Sequence, residues 1–276
     1  EFLAVKPSLE LVRPFNVAPQ QSCPNEQGIR FVDVGFKYEG ATSWTLRHVD
    51  AFIPPRKLTA IVGRNGSGKS TFMKLATGMY GPTEGVVLLD GIPLGQWEKS
   101  RLKSRITALF QDFNRYQLTI RENLGFGDLD REPDNQSIAS SLAEVNALYV
   151  ANRLPRGFDS ALGLWFEGGT DLSGGEWQKV ALARALFRQA ADIIVLDEPN
   201  ASLDAKARTE LFDLVRKIGH DKTVMVISHQ QSALRRADHF LYFNQGRVWQ
   251  YPSLDDLLAQ ENGYAELFYA EQAVQA

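Results

Sequence analysis

The chain has 276 residues, of which 44% are hydrophobic and 23% charged, and its formal net charge is −3. This length suits one large domain, and the composition is that of a globular protein that can bury a sizeable core. There is no basic excess to support a nucleic-acid partner, and no apolar run of about 18 residues to support a membrane span. The single cysteine, Cys23, excludes an intramolecular disulfide and fits a reducing compartment.

The first 27 residues have the composition of a linker, because they contain four prolines, a polar patch and little periodicity. Since the chain begins with Glu1 and not with methionine, we expect it to be a fragment of a longer protein or a processed product. The pattern of residues changes at Gly28, so the folded domain is expected over residues 28–276.

The apolar pattern that follows predicts an α/β fold with a mostly parallel sheet and an additional antiparallel layer. Residues 29–38 partly alternate between apolar and polar, as expected of an edge or antiparallel strand. Three short runs are wholly apolar, which is typical of strands buried on both faces of a parallel sheet. These runs are residues 58–62, 193–196 and 224–227. Helical segments at residues 177–188 and 206–218 complete the alternation of strands and helices.

Two regions lie outside this alternation. Residues 114–172 lack strong strand patterns and contain a helical stretch at 137–150, so we assign an inserted helical subdomain to about residues 114–180. The C-terminal tail, about residues 254–276, is predicted to be helical and partly amphipathic.

A phosphate-binding pattern, G-x-x-x-x-G-K-[ST], lies between the strand at 58–62 and a helix-compatible run at 71–79. Its glycines let backbone N–H groups curl around phosphates, and the helix N-terminus favours the negative charge. Lys69 would reach the β- and γ-phosphates, and the hydroxyl of Ser70 would bind Mg²⁺. The pattern predicts a P-loop NTPase (RecA-like) core. The candidate nucleotide-binding residues here are Gly63, Asn65, Gly66, Ser67, Gly68, Lys69, Ser70 and Thr71.

A second acidic motif, Asp197-Glu198-Pro199, ends the apolar run at 193–196. A carboxylate at the end of a strand suits Mg²⁺, so Asp197 is a candidate metal ligand. Adjacent strand residues point to opposite faces, so Glu198 takes a different role only if the backbone turns there, and Pro199 is consistent with such a turn. Glu198 is then placed to orient and deprotonate an attacking water.

The residues Leu172-Ser173-Gly174-Gly175-Glu176 match the signature motif of the ABC ATPases, and the chain resembles this family from about Gly28 to Gly246. Ser173 and Glu176 have the spacing of a capping box at a helix start, whereas two glycines in the first turn cost helix stability and need another explanation. In the family, this motif contacts the γ-phosphate of ATP bound to the opposite subunit. The resemblance therefore implies a head-to-tail dimer, for which Ser173, Gly174 and Gly175 are candidate nucleotide contacts.

Other family elements occur in the same order. The resemblance identifies Gln111 with the residue that links the Mg²⁺ site to the helical subdomain, and His229 with the switch histidine that touches the γ-phosphate. It places Asp204 in the loop that crosses the dimer interface, and Tyr38 where an aromatic ring stacks on adenine. Phe36 or Trp44 could perform the stacking instead. Asn200 departs from the family, which often has threonine there, and we expect little effect.

The catalytic and metal-binding sets follow from this resemblance. The implied catalytic residues are Glu198, His229 and Lys69, and the implied Mg²⁺ ligands are Ser70, Gln111 and Asp197. Because no catalytic position is degenerate, ATP hydrolysis is favoured over a regulatory module that only binds nucleotide. ATP and Mg²⁺ are the expected cofactors, and a homodimer is the expected assembly.

Two features resemble exporters within the family. The leader resembles the connector from the last membrane helix, and Phe166-Glu167-Gly168-Gly169 partly matches the exporter segment whose glutamate contacts the membrane domain. Together with the residues around Trp177, this segment is similar to bacterial peptide exporters of the lantibiotic type. The resemblance implies a membrane domain upstream in the same chain, and a location at the cytoplasmic face of the cell membrane. A soluble ABC ATPase or an importer subunit remains the alternative.

Overall fold

The computed structural model describes residues 27–165, 167–200, 202–260, 264–266 and 268–269. The predicted linker, apart from Gln27, lies outside the described residues, as do Cys23 and Phe166. The described part of the chain forms two sheets with helices packed around them.

The smaller sheet is antiparallel and has the strand order β2-β1-β4-β5. Its strands are β1 (Ile29–Phe36), β2 (Leu46–Ile53), β4 (Glu84–Leu89) and β5 (Ile92–Pro93). The prediction of an antiparallel strand from residue 29 is confirmed, although the strand ends at Phe36 and not at Tyr38.

The larger sheet has the order β10-β9-β3-β8-β7-β6 and is parallel except for the pairing of β10 with β9. Its strands are β3 (Leu58–Gly63), β6 (Ile106–Leu109), β7 (Ile193–Asp197), β8 (Thr223–Ile227), β9 (His239–Asn244) and β10 (Arg247–Tyr251). The three runs predicted as buried strands form β3, β7 and β8, and every residue in them is buried. This confirms the expected parallel core, since both faces of these strands are covered.

The helices cover the parallel sheet and form the region between β6 and β7. They are α1 (Lys69–Ala76), α2 (Lys99–Arg105), α3 (Ile120–Gly125), α4 (Asn135–Glu144), α5 (Leu148–Asn152), α6 (Gly174–Phe187), α7 (Ala205–Gly219), α8 (Gln231–Leu234) and α9 (Leu254–Leu258). The expected helical content of residues 114–172 is found in α3, α4 and α5. In the tail, residues 264–266 and 268–269 are also helical.

The single helix predicted at residues 137–150 is in fact two helices. Helix α4 ends at Glu144 because Asn146 adopts φ +50°, a left-handed conformation that closes a helix. The amide of Ala147 then donates to the carbonyl of Leu142 at 2.7 Å, and α5 starts at Leu148. Periodicity alone did not indicate this break, because the apolar spacing continues across it.

The two sheets share a hydrophobic core that holds helix α1 in place. The ring of Phe72 in α1 stacks on Phe31 of the antiparallel sheet at 4.1 Å and lies edge-on to Phe243 of the parallel sheet at 5.1 Å. All three rings are buried, and aromatic contacts of this kind add stability beyond the area they bury. The start of α1, and with it the loop from β3, is therefore fixed between the two sheets.

Candidate functional site

The loop between β3 and α1 has a backbone that only glycine permits at two positions. Gly63 has φ +135°, and a Cβ there would lie 2.1 Å from the carbonyl oxygen of Phe243. Gly68 has φ +105°, and its Cβ would lie 2.5 Å from a methyl group of Leu46. The loop is thus built against β9 and β2, and its glycines permit the curled backbone that a phosphate-binding loop requires.

Lys69 lies at the centre of this loop with 6% of its surface exposed. Its Nζ donates to the carbonyl oxygens of Gly63 at 2.6 Å and of Arg64 at 3.0 Å. The hydroxyl of Ser67 is also buried, and no partner for it occurs among the described residues. A polyphosphate fits a loop that holds a buried ammonium group and a buried hydroxyl, because it would give Lys69 further negative charge and Ser67 an acceptor.

Asp197 and Ser70 meet at the carboxyl ends of β7 and β3. Asp197 is buried, which raises the pKa of its carboxyl group above the usual value of 3.8, while a hydrogen bond with Ser70 acts in the opposite direction. The nearby Glu198 raises this pKa further and Lys69 lowers it. No group of three or more acidic, histidine or cysteine side chains that could hold a metal occurs in the described ranges. One carboxylate and one hydroxyl fit Mg²⁺, which takes few protein ligands and fills its shell with water and phosphate.

Glu198 turns away from the direction of β7. Its φ is +48°, which is uncommon for a residue with a side chain, and its N–H donates to the carbonyl of Ile227 at 3.1 Å. The backbone turn that the sequence required near Pro199 is therefore present at Glu198 itself. Its Oε1 lies 4.0 Å from Nε2 of His229, so the structure brings together the two side chains that follow β7 and β8.

The signature residues form the start of α6. Ser173 accepts from the N–H of Glu176, and the Glu176 side chain accepts from the N–H of Ser173, which confirms the predicted capping box. A Cβ at Gly175 would lie 2.9 Å from the carbonyl oxygen of Ser202. One of the two glycines is thus required within the same chain, because the loop before α7 approaches the helix closely.

The predicted adenine contact, Tyr38, has 37% of its surface exposed. Its hydroxyl is 3.0 Å from that of Thr71, and its ring meets Phe36 edge-on at 4.9 Å and Tyr80 at 5.7 Å. Phe36 is buried, which makes it a poor alternative for stacking on a ligand. Trp44 is partly buried and has two cations, Lys37 and Arg47, over its ring.

The remaining predicted residues lie around this centre. Gln111 is exposed in the turn after β6. Asp204 accepts from the N–H of Ala207 at 2.8 Å and so caps α7. This capping role would by itself explain why an aspartate occupies the position. The side-chain oxygen of Asn200 is buried and has no partner in the described part of the chain.

Gln178 lies on α6 with 3% of its surface exposed and was not among the predicted site residues. Its Nε2 donates to the carbonyl of Glu198 at 3.5 Å, and its Oε1 accepts from the N–H of Ser202 at 2.9 Å. A polar residue at a buried helix position is the only signal in the sequence, and its partners come from a distant segment.

Comparison with known proteins shows the family to which the chain belongs. A family model described as "ABC transporter" matches residues 46–201. The chain is 40% identical over 83% of its length to the subtilin transport ATP-binding protein SpaT of Bacillus subtilis. It is 36% identical over 88% to the nisin transport ATP-binding protein NisT of Lactococcus lactis, and 35% identical over 87% to the ATP-dependent lipid A-core flippase of Chromohalobacter salexigens. It covers between 37% and 40% of the length of these relatives.

A solved structure described as a bacterial Atm1-family ABC exporter with ATP bound superposes with a TM-score of 0.82 at 28% identity. The match covers 95% of this chain and 45% of the exporter chain. The fold and the site define an ATP-binding domain of the P-loop NTPase class, with an antiparallel layer and helices added to the parallel core. The chain belongs to the ABC transporter family, as the signature motif indicated. No helix in the described ranges has the length and apolar character needed to cross a membrane.

Proposed function

We propose that this chain is the ATP-hydrolysing motor of a membrane exporter, and that it works as a head-to-tail homodimer with two nucleotides in the interface. The observation that carries the proposal is the convergence of Lys69, Asp197, Glu198 and His229 at the carboxyl ends of three neighbouring parallel strands. In such sheets, ligands bind at the carboxyl ends of the strands. Each of these side chains has the chemistry that phosphoryl transfer requires.

Mg²⁺ would be held by Ser70 and Asp197, with Gln111 as a third ligand. When bound, it neutralises charge on the β- and γ-phosphates. The hydrogen bond between Ser70 and Asp197 supports this assignment, because it brings two hard oxygen ligands to one point at the edge of the P-loop.

The proposed role of each side chain in binding and hydrolysis follows from its position in the site. Tyr38 stacks on the adenine ring, and the N–H groups of residues 63–70 and the Lys69 ammonium bind the phosphates. Glu198 accepts a proton from the attacking water, for which its turn at φ +48° directs it away from the strand. His229 then stabilises charge on the transferring phosphoryl group, a step that depends on positioning more than on covalent chemistry.

The second subunit would complete each site. Ser173 and the N–H groups of Gly174 and Gly175 stand at the N-terminus of a 14-residue helix, whose positive end favours a γ-phosphate. Asp204 contributes to the same interface from the loop before α7. Since one chain carries both the P-loop and the signature, two copies can supply two complete sites.

The membrane domain is the other proposed partner, expected in the same full-length protein at the cytoplasmic face of the membrane. A groove of about 340 Å³ lies between β6 and α6, and Phe110 and Asp112, the chain neighbours of Gln111, line it. The exposed rings of Tyr116 and Phe126 are 4.9 Å apart beside it. Exposed aromatic surface next to a groove suits a segment of a partner protein. The names of SpaT and NisT, which describe transport of subtilin and of nisin, support the resemblance to lantibiotic-type peptide exporters and with it a peptide cargo.

The test is the ATPase rate of the chain with Mg²⁺, measured across a wide range of protein concentration. A rate per molecule that rises with concentration and is lost in Glu198→Gln supports a catalytic dimer. A rate independent of concentration would contradict the shared site. The motor role would be supported if separation from the membrane domain abolished export but left ATP hydrolysis intact. A complete reading frame that encodes no membrane spans would contradict this role.

A further inference from the structure

Gln178 connects the signature helix to the turn that carries the hydrolytic carboxylate. It lies on α6 and buries its amide group against two backbone groups of the segment that follows β7. The carbonyl of Glu198 accepts from its Nε2 at 3.5 Å, and the N–H of Ser202 donates to its Oε1 at 2.9 Å. One side chain thus holds both sides of the turn.

The turn at Glu198 needs such support because its backbone is strained. A residue with a side chain at φ +48° costs free energy and persists only where its surroundings fix it. The N–H of Glu198 is held by the carbonyl of Ile227 at 3.1 Å in β8, and its carbonyl by Gln178 in α6. The direction of the carboxylate therefore depends on the position of both elements.

The loop before α7 depends on the same helix. The carbonyl of Ser202 packs against Gly175, where a Cβ would come within 2.9 Å, while the N–H of Ser202 is bound by Gln178. Gly174, Gly175 and Glu176 of the signature and the residue that holds the turn thus lie on one helix, α6, which Ser173 caps.

We propose that Gln178 is a positioning residue that makes the direction of the Glu198 carboxylate depend on the placement of α6. Movement of α6 when nucleotide is engaged would be transmitted through the amide group to the Glu198 peptide and to the Ser202 loop. The bonds of Gln178 in the described part of the chain go to Glu198 and Ser202 and to no P-loop residue, so it acts on the hydrolytic step and leaves the ATP affinity of the P-loop unchanged. This inference rests on the proposed role of Glu198 in hydrolysis.

A purely structural role would give a different result. A buried amide that loses its partners destabilises the fold, so loss of activity alone would prove nothing. Asn123 provides a control, because it is a fully buried amide on α3 that donates to the carbonyls of Tyr116 at 2.9 Å and Thr119 at 3.0 Å and accepts from Arg184 of α6 at 3.4 Å. Its substitution also removes hydrogen bonds of a buried amide and disturbs α6, but at Arg184 and not at the turn that carries Glu198.

The experiment measures kcat, KM and ATP affinity of the full chain for Gln178→Met, Gln178→Glu, Asn123→Met and Asn123→Asp. Rates are expressed per nucleotide-binding site, which removes unfolded protein from the comparison. We expect kcat to fall about tenfold or more in both Gln178 variants, with ATP affinity within about twofold of the wild type. The Asn123 variants should lose thermal stability and keep kcat. Gln178→Glu retains an acceptor for Ser202 and tests the donor to Glu198 separately.

Two outcomes would overturn the inference. One is an unchanged kcat in a folded Gln178 variant, and the other is an equal loss of kcat in the Asn123 variants. Glu198→Gln, measured in parallel, separates this inference from the proposed function. If Glu198→Gln retains full turnover, the hydrolytic assignment itself fails, whereas loss in Glu198→Gln with full activity in Gln178→Met removes only the role of Gln178.

Discussion

Asp197 shows how a residue suited to catalysis can reduce the stability of the fold that holds it. The carboxyl group is buried at the end of β7, and burial raises its pKa above the usual value of 3.8. Just above pH 3.8, the folded chain therefore keeps a proton that the unfolded chain releases. The resulting stabilisation is present at lower pH and is lost as the pH rises through the folded pKa.

We therefore expect Asp197→Asn to melt at a higher temperature than the wild type at pH 7 without nucleotide, by roughly 1–4 °C, because the amide has no charge to desolvate. The difference should shrink at pH 4, and Mg²⁺-dependent turnover should be lost. Thermal melts at both pH values provide the check. A variant less stable than the wild type at pH 7 would show that the carboxylate is well compensated in the folded chain.

Some of the candidate functional residues belong to a sequence motif, whereas others are recognised only by their contacts in the folded chain. The P-loop glycines and Lys69 were predicted because their spacing matches a known backbone geometry. Gln178 was not, since its partners at Glu198 and Ser202 are 20 and 24 residues away along the chain. No local pattern predicts which segment a buried amide will meet.

At the scale of elements, two helices begin with the same device. Thr119 and Glu122 form a capping box at the start of α3, and Ser173 and Glu176 form one at the start of α6. Each cap satisfies the exposed N–H groups of its own helix. The proposed function gives the α6 cap a second task, which is contact with a phosphate bound to the partner subunit.

Ser173→Ala and Thr119→Ala should therefore cost similar stability, about 1 kcal/mol each, because each removes one capping hydroxyl. Only Ser173→Ala should lower turnover sharply, since only this hydroxyl is proposed to face the nucleotide. Denaturant unfolding and ATPase rates per folded molecule measure the two effects. An equal fall in turnover for both variants would mean that the cap acts through stability alone.

Element boundaries were predicted less well than element types. Helix α7 is the exception, since it was predicted at residues 206–218 and is found at Ala205–Gly219. Its bounds were predictable because a strong apolar pattern continues along the helix. The helix predicted at 177–188 starts at Gly174, since the capping box fixes its first turn before the periodic pattern begins. At Asn146 a single left-handed residue divided a predicted helix that the pattern left continuous.

At the scale of the whole molecule, two large apolar side chains are exposed in the loop before α6. Leu164 and Trp165 have 73% and 81% of their surface exposed, and the N–H of Trp165 donates to Gln117 at 2.9 Å. Gln117 follows Tyr116, which lines the groove, and Glu167 lies just beyond Trp165. Adjacent exposed side chains of this size form an apolar patch of the kind that can mark an interaction site.

We expect Trp165→Ser to leave the ATPase rate of this chain unchanged, because the side chain contributes little to the core. In the full-length protein, the same change should uncouple ATP hydrolysis from export, since the membrane domain is proposed to dock here. Ile92→Ser, at an exposed position of β5 in the antiparallel sheet, serves as the control. Transport and ATPase rates measured together in proteoliposomes give the result, and normal coupling in Trp165→Ser would place the partner elsewhere.

The fold class, the P-loop, the acidic motif at the end of β7 and the signature could be predicted from the sequence, because each depends on local periodicity or on a short run with its own backbone geometry. The contacts between these parts became visible only in the tertiary structure. Glu198 lies near His229 because β7 and β8 are neighbours in the sheet, and Gly175 is needed where the Ser202 loop crosses α6. Gln178 likewise bonds to Glu198 and Ser202 because the segment after β7 packs against α6. Contacts between distant segments are set by the packing of whole elements, and no short stretch of sequence contains that information.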